Sequence, residues 1–130
     1  MDNVLYETAN LCYNHLGGLL GETLLKFFLK EELIKMINDE YKVTDKGWKE
    51  LEGIGVDTDK LRSIKGKLVT ICIESDHGIF YEHIGSYLGN LLMEKILELG
   101  WIKKKDENRF ELTEKGLTSL ESMGIKIRTL

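Results

Sequence analysis

Proline is absent from this chain of 130 residues, so prolyl turns are excluded and glycine, with 13 copies, must form most of the bends. Two cysteines are too few for a disulfide framework, and no apolar run approaches the ~20 residues that span a bilayer. Basic residues are outnumbered, with 18 lysines and arginines against 22 aspartates and glutamates. Because nucleic-acid binders usually carry a basic face, the net charge of −4 argues against an extensive phosphate-binding surface.

The composition that is present favours a folded globule. Hydrophobic residues make up 42% of the chain and charged residues 31%, enough for one domain or two small lobes that share a core. The first residues, MDNVLYETAN, lack the basic and apolar regions of a secretion signal, so we expect a cytoplasmic location and no membrane partner. There is no nucleophile motif, phosphate-binding glycine loop or paired-carboxylate pattern, so we expect no enzyme activity.

One pattern occurs twice in the chain. The sequence Tyr-x-His-apolar-Gly-x-x-Leu-Gly starts at Tyr13 and again 68 residues later at Tyr81, and an apolar run follows each copy. After one inserted residue the match resumes at an offset of 69, where Thr44 meets Thr113. Each threonine is predicted to cap the last helix of its copy, which ends near Gly53–Gly55 or near Gly124. A repeat of this kind indicates an internal duplication.

Each copy predicts the order helix, helix, strand, turn, strand, helix, in which the first helix approaches the His-apolar-Gly corner. This is the order of a winged helix-turn-helix. The expected fold class is therefore α+β, mainly helical, with two tandem winged-helix-like repeats related by a pseudo-two-fold. The repeats are expected at 1–56 and 77–130, joined by a helix and a strand in 57–76. The predicted elements are helices at 19–31 and 87–99, strands at 33–37, 41–43, 68–74, 101–104 and 110–112, and a short helix from 57 to about 65.

The second helix of each copy has the wrong surface for reading DNA. A recognition helix exposes polar side chains toward base edges. Here the corresponding segments, LLGETLLKFFLKEE and YLGNLLMEKILEL, are apolar around most of the circumference, and several of their polar residues are glutamates. We therefore expect these helices to be buried against each other or against a second subunit, with direct readout of DNA weak or lost.

The segment ANLCYNHLGGLLG resembles the Cys-Tyr-Asp-His-Leu-Ala-Gly segment of bacterial ArsR-like winged-helix transcriptional regulators, which opens the region after their DNA-binding domain. VTDKG and LTEKG resemble the Leu-Thr-x-x-Gly that closes a wing, and Cys72 with His83 resembles the family's second Cys…His segment. The resemblance covers roughly residues 9 to 127. It implies a dimerising or effector-sensing regulator module, either part of a longer chain whose N-terminal domain contacts DNA or a free-standing relative. The family's Asp-Trp-Ser-Glu-Arg stretch is replaced here by ESDHG at 74–78.

Four residues, Cys12, His15, Cys72 and His83, occupy matching ends of the two copies. If the copies meet around a two-fold axis, two thiolates and two imidazoles would form a tetrahedral zinc site or a thiol sensor. In the alternative interpretation the cysteines are small buried hydrophobes and the histidines hydrogen-bond the backbone near the glycine corners. Apart from zinc, no cofactor is expected.

Two groups of basic residues are the candidates for nucleic-acid contact, although charge runs are usually solvated surface. Asp76 and His77, close to Glu74, are expected to form a solvated loop. The expected partners are a second copy of the chain or another protein, and the second candidate function is a winged-helix protein-interaction module that never touches DNA. The basic candidates are Lys60, Arg62, Lys65, Lys67, Lys103, Lys104 and Lys105.

Overall fold

The computed structural model describes residues 9–12, 15–76, 78–107 and 109–126, and the side chains of 9–12, 76 and 79 lie outside that description. This part of the chain is a mixed α/β domain with five helices and eight strands. In chain order these are β1 (Ala9–Cys12), β2 (His15–Gly17), α1 (Gly18–Lys30), β3 (Ile34–Ile37), β4 (Glu40–Val43), α2 (Asp45–Gly53), α3 (Thr58–Ser63), β5 (Thr70–Asp76), β6 (Ile79–Gly85), α4 (Ser86–Glu98), β7 (Ile102–Lys104), β8 (Arg109–Leu112) and α5 (Glu114–Ser122).

The strands form three antiparallel sheets. The largest has the order β2-β1-β8-β7, so that β1 from the first half of the chain pairs with β8 from the second half. The other two sheets are the hairpins β3-β4 and β5-β6. On each side of α3 the elements follow one order: hairpin, helix, hairpin, helix.

The segments that lead into the His-apolar-Gly corners are strands, so the helix predicted at this point is wrong. β2 reaches the first corner and β6 the second, and each corner is followed at once by a helix. Before the second corner, TICIESD at the end of the predicted connector and IFYEHIG at the start of the second copy are rich in β-branched and aromatic residues, which favour strands. They pair over seven residues, from Thr70 opposite Gly85 to Asp76 opposite Ile79, and this pairing satisfies the backbone groups that face the partner strand.

The remaining predicted elements are confirmed with small shifts at their ends. α1 and α4 each begin and end one residue earlier than predicted, and the two short hairpins after them are present. The hydroxyl oxygen of Thr44 accepts a hydrogen bond from the Gly47 amide at 2.9 Å, and that of Thr113 accepts one from Gly116 at 3.0 Å. Both threonines are therefore N-caps of the helices that follow, as their positions predicted.

The core consists of two apolar clusters, and each contains residues from both halves of the chain. α1 packs against β6 of the second half, and α4 packs against β2 of the first. Each of these two helices therefore buries apolar surface that its own half does not cover. One cluster contains Leu16, Leu20, Leu24, Met93, Ile96, Trp101, Ile102, Phe110, Leu112, Leu120 and Ile125. The other contains Leu25, Phe28, Leu33, Ile34, Leu51, Val56, Leu61, Val69, Ile84, Leu88 and Leu92.

The predicted division at 76/77 falls in the turn between β5 and β6, where Gly78 has a φ of 80°. The division of the chain into two repeats and a connector stays a prediction. Across the described ranges, no helix has the length and apolar character needed to cross a membrane.

Candidate metal site between two hairpins

Each cysteine–histidine pair named from the sequence lies across a strand pair. Cys12 in β1 is opposite His15 in β2, and Cys72 in β5 is opposite His83 in β6. The side chains of His15, Cys72 and His83 converge, and one potential ligand atom from each lies within 4.8 Å of the other two. The structure thus brings together three of the four candidates, while the side chain of Cys12 lies outside the described residues.

The two histidine rings are adjacent and largely enclosed. Their centroids are 5.7 Å apart with a tilt of 55°, and His83 has no exposed surface. Both ring nitrogens of His83 and Nδ1 of His15 are buried without a hydrogen bond to any part of the chain that the structure describes. Within the described residues, His83 therefore lacks the backbone hydrogen bond that the alternative interpretation expects. A buried polar group without a partner costs about 1–3 kcal/mol.

Glu74 is the charged group nearest to His83. Its Oε1 lies 3.5 Å from Nδ1 of His83 and accepts a short hydrogen bond from the backbone amide of Gly18, the first residue of α1. The carboxylate thereby partners one of the amides that the start of a helix leaves unpaired. Glu74 connects β5 of the second half to α1 of the first, and it is positioned to orient the His83 ring.

Burial lowers the pKa of both histidines below the ordinary value of 6.5. For His15 the cause is burial of the ring. For His83 burial is again the largest cause; the Glu74 carboxylate opposes it, and the nearby His15 ring adds to it. Both rings are consequently neutral at pH 7, which is the protonation state that coordinates metal ions.

The helix backbones approach the histidine rings at two glycines. A Cβ at Gly21 would lie 3.1 Å from Cβ of His83 and 2.3 Å from the Leu16 carbonyl oxygen. A Cβ at Gly89 would lie 3.2 Å from Cδ2 of His15 and 2.3 Å from the Ile84 carbonyl oxygen. Only glycine allows α1 and α4 to pack this closely against the strands that carry the histidines.

A small apolar cavity lies beside this cluster, between α1 and α4. Its volume of about 10 Å³ is close to the space that one water molecule needs. Pockets for small organic ligands usually measure about 300–1,000 Å³, so this cavity does not accommodate an organic effector. It is lined by Leu16, Gly21, Leu24, Ile84, Gly89 and Leu92.

Sequence reasoning missed the role of Glu74 and of the two helix glycines at this site. The sequence places Glu74 only beside the predicted Asp76–His77 loop; His77 and the side chain of Asp76 lie outside the described residues. The signal that could have identified the glycines is their repeated place four residues after each His-apolar-Gly corner.

The basic candidates lie on separate elements, and nucleic-acid contact through them stays a prediction. The guanidinium of Arg62 stacks over Trp48 at 4.4 Å from the ring centroid. The ammonium of Lys103 lies 3.9 Å from a carboxylate oxygen of Glu111. Lys60 lies in α3, and Lys65 and Lys67 lie in the segment after it. Lys104 is the last residue of β7 and Lys105 follows it.

Together these features define a small mixed α/β domain with a histidine–cysteine cluster between two hairpins. The chain is similar to the uncharacterized HTH-type transcriptional regulator YdfF of Bacillus subtilis strain 168, with 26% identity over 121 residues. The match covers 92% of this chain and 53% of that protein, so the chain spans about half the length of this relative. No family model and no solved structure matches the chain. The similarity supports the regulator class that the sequence resemblance implies.

Proposed function

We propose that this chain is a winged-helix-type module of a transcriptional regulator, which serves dimerisation or effector sensing and reads DNA weakly or not at all. The observation that carries the proposal is the match of 92% of the chain to about half of an HTH-type regulator. The ArsR-like resemblance supports a place for the module in the region after a DNA-binding domain, with a free-standing relative as the alternative.

The burial of α1 and α4 supports a function other than base readout in a DNA groove. Each helix buries its apolar face against the other half of the chain, through Leu24 and Leu25 of α1 and Leu92 and Met93 of α4. The positions that stay exposed are apolar, acidic or lysine, and they offer no row of amide and hydroxyl groups for base edges. The exposed positions are Leu19, Lys26, Leu29 and Lys30 on α1 and Tyr87, Glu94, Leu97 and Glu98 on α4.

Matching contacts in the two halves support an origin by duplication with a pseudo-two-fold relation. The caps at Thr44 and Thr113 are equivalent, and so are the close approaches at Gly21 and Gly89. The hairpins differ in their pairing, because β1 joins β8 of the second half while β5 pairs only with β6 among the described strands.

Exposed apolar side chains on the β5–β6 hairpin support a protein partner. Ile73 is 63% exposed and Phe80 is 71% exposed, and the register places both on the face opposite Cys72 and His83. A second copy of the chain would cover them in a dimeric regulator. The same two residues favour the second candidate function, a protein-interaction module that never contacts DNA.

The first test measures DNA binding and association state. Fluorescence anisotropy with duplex DNA of mixed sequence, at about 50 and 200 mM salt, is expected to show little or no binding. Tight binding that weakens steeply with salt would contradict the proposal. Sedimentation equilibrium of the same sample is expected to show a dimer.

The second test measures regulation. The chain is joined to a DNA-binding domain that represses a reporter gene only as a dimer. Repression is expected if the chain dimerises, and a matched fusion without the chain is the control. A chain that neither represses nor binds DNA would favour the interaction module.

A further inference from the structure

We propose that His15, Cys72 and His83 bind a divalent transition-metal ion, and that the ion is zinc. The binding site does not rest on the proposed regulator function; only its role as an effector site does. The observation that carries the proposal is the convergence of three donor atoms of zinc-binding type, all within 4.8 Å of one another.

The spacing of these donors is close to that of a bound ion. With zinc–nitrogen bonds of about 2.0 Å and zinc–sulfur bonds of about 2.3 Å, tetrahedral ligands are about 3.3–3.8 Å apart. The donors therefore need to approach one another by at most about 1–1.5 Å, which rotations about the side-chain bonds would have to supply when an ion binds. The ion would join β2 of the first half to the β5–β6 hairpin of the second half.

The unpartnered nitrogens of His83 point to a ligand. His83 is fully buried, and neither ring nitrogen has a hydrogen bond within the described chain. If Glu74 holds one nitrogen as an N–H donor, the other is left for the ion, and the carboxylate orients the ring. Glu74 is itself held by the amide of Gly18, so the orienting group is in place before an ion arrives.

The donor set selects the metal. One thiolate and two neutral imidazoles suit zinc, whereas magnesium and calcium take oxygen ligands. The adjacent cavity of about 10 Å³ is itself too small for an organic effector. Cys12 lies opposite His15 in the strand register, as Cys72 lies opposite His83, so Cys12 is the residue to test as a fourth ligand.

The decisive experiment uses zinc and cobalt alone as probes. Bound metal is removed from the full chain with a chelator, and the metal-free chain is then titrated with zinc in a calorimeter. One equivalent is expected to bind and to raise the melting temperature. Cobalt is expected to produce a thiolate-to-metal charge-transfer band, which reports a bond to cysteine. Failure to bind either metal stoichiometrically at low micromolar protein would overturn the proposal.

Substitutions of the proposed ligand residues test which side chains bind the metal ion. Cys72→Ser and His15→Gln are each expected to lower zinc affinity at least about 100-fold while the apo chain keeps its circular dichroism spectrum. His77→Gln, which changes the third histidine of the chain, is the matched control and is expected to bind zinc as the parent does. A charge-transfer band of full intensity in Cys72→Ser that disappears in the Cys72→Ser/Cys12→Ser double variant would overturn the assignment of Cys72, because the thiolate would then come from Cys12. If a single variant fails to fold, the cobalt spectrum of the parent chain still decides whether a thiolate is a ligand.

The reporter fusion separates this proposal from the proposed function. Repression that changes with zinc or chelator in the parent, but not in Cys72→Ser, supports the ion as an effector. Repression without any zinc binding would overturn the metal site and leave the regulator proposal standing. Zinc binding without repression would overturn dimerisation by this module and leave the metal site standing.

Discussion

His15 and His83 are 68 positions apart in the sequence, yet their ring centroids lie 5.7 Å apart in the fold. Each ring is carried by the second strand of a hairpin, immediately before a buried helix. The contact therefore forms only when the two halves pack against each other. Any ligand of these rings would report on that packing and stabilise it.

Replacing His83 by leucine separates metal binding from stability. Because both ring nitrogens are buried without a hydrogen bond, His83→Leu is expected to leave the free energy of unfolding of the apo chain unchanged or to raise it by about 1–2 kcal/mol. The same substitution is expected to abolish the rise in melting temperature that zinc causes. Urea denaturation in chelator, with and without zinc, checks both expectations. A loss of more than about 2 kcal/mol in the apo variant would show that the ring makes stabilising contacts of its own.

Gly21→Ala and Gly89→Ala are expected to destabilise the fold. In each variant the new Cβ would lie 2.3 Å from a backbone carbonyl oxygen, so a helix must move away from its hairpin. We expect each variant to lose about 1–3 kcal/mol of unfolding free energy in urea. Gly53→Ala is the matched control, because a Cβ there meets nothing within 4 Å, and it is expected to be neutral or slightly stabilising. Equal effects at Gly21 and Gly53 would contradict the close packing.

The stability of the apo chain is expected to fall when the pH drops below about 6.5. Burial lowers the pKa of His15 and His83, so the unfolded state, with ordinary histidine pKa values near 6.5, takes up protons first as the solution is acidified. The contribution of the two neutral histidines to the free energy of unfolding is fully present above pH 6.5, and it is lost as the pH falls toward their lowered pKa values. Urea denaturation in chelator between about pH 8 and pH 5 measures it. His83→Leu, which removes one of the two groups, should flatten the dependence, and a stability that rises on acidification would refute the assignment.

The exposed hairpin face is expected to control association. The double variant Ile73→Thr/Phe80→Ser changes two side chains that are 63% and 71% exposed, so the free energy of unfolding of a monomer should change by less than about 0.5 kcal/mol. Dimers in the parent sample should dissociate in the variant, which sedimentation equilibrium detects. Met36→Thr, at another exposed apolar position, is the control that should leave the dimer intact. Dimers that persist in the double variant would place the interface elsewhere.

Helices and short hairpins could be predicted because their signals are local. The apolar periodicity of α1 and α4 places their ends within one residue, and threonine at the start of α2 and α5 predicts the caps. β5 lies within two residues of the strand predicted at 68–74, whereas β1, β2 and β6 are strands that the sequence did not predict. The pairing of β6 with β5 is not a local signal, since a hairpin depends on two segments at once.

The sequence by itself determined which residues are repeated, which helices must be buried, and which cysteines and histidines are the candidate ligands of a metal site. These properties follow from residue spacing and side-chain type, so they do not depend on how the two halves of the chain pack against each other. Only the tertiary structure decided that His15 meets His83 and Cys72 and that Glu74 lies beside the rings. The contacts of His15 with Cys72 and His83, and of Glu74 with Gly18, join residues more than 50 positions apart. Their distances depend on strand register and on how closely the glycines let two helices approach.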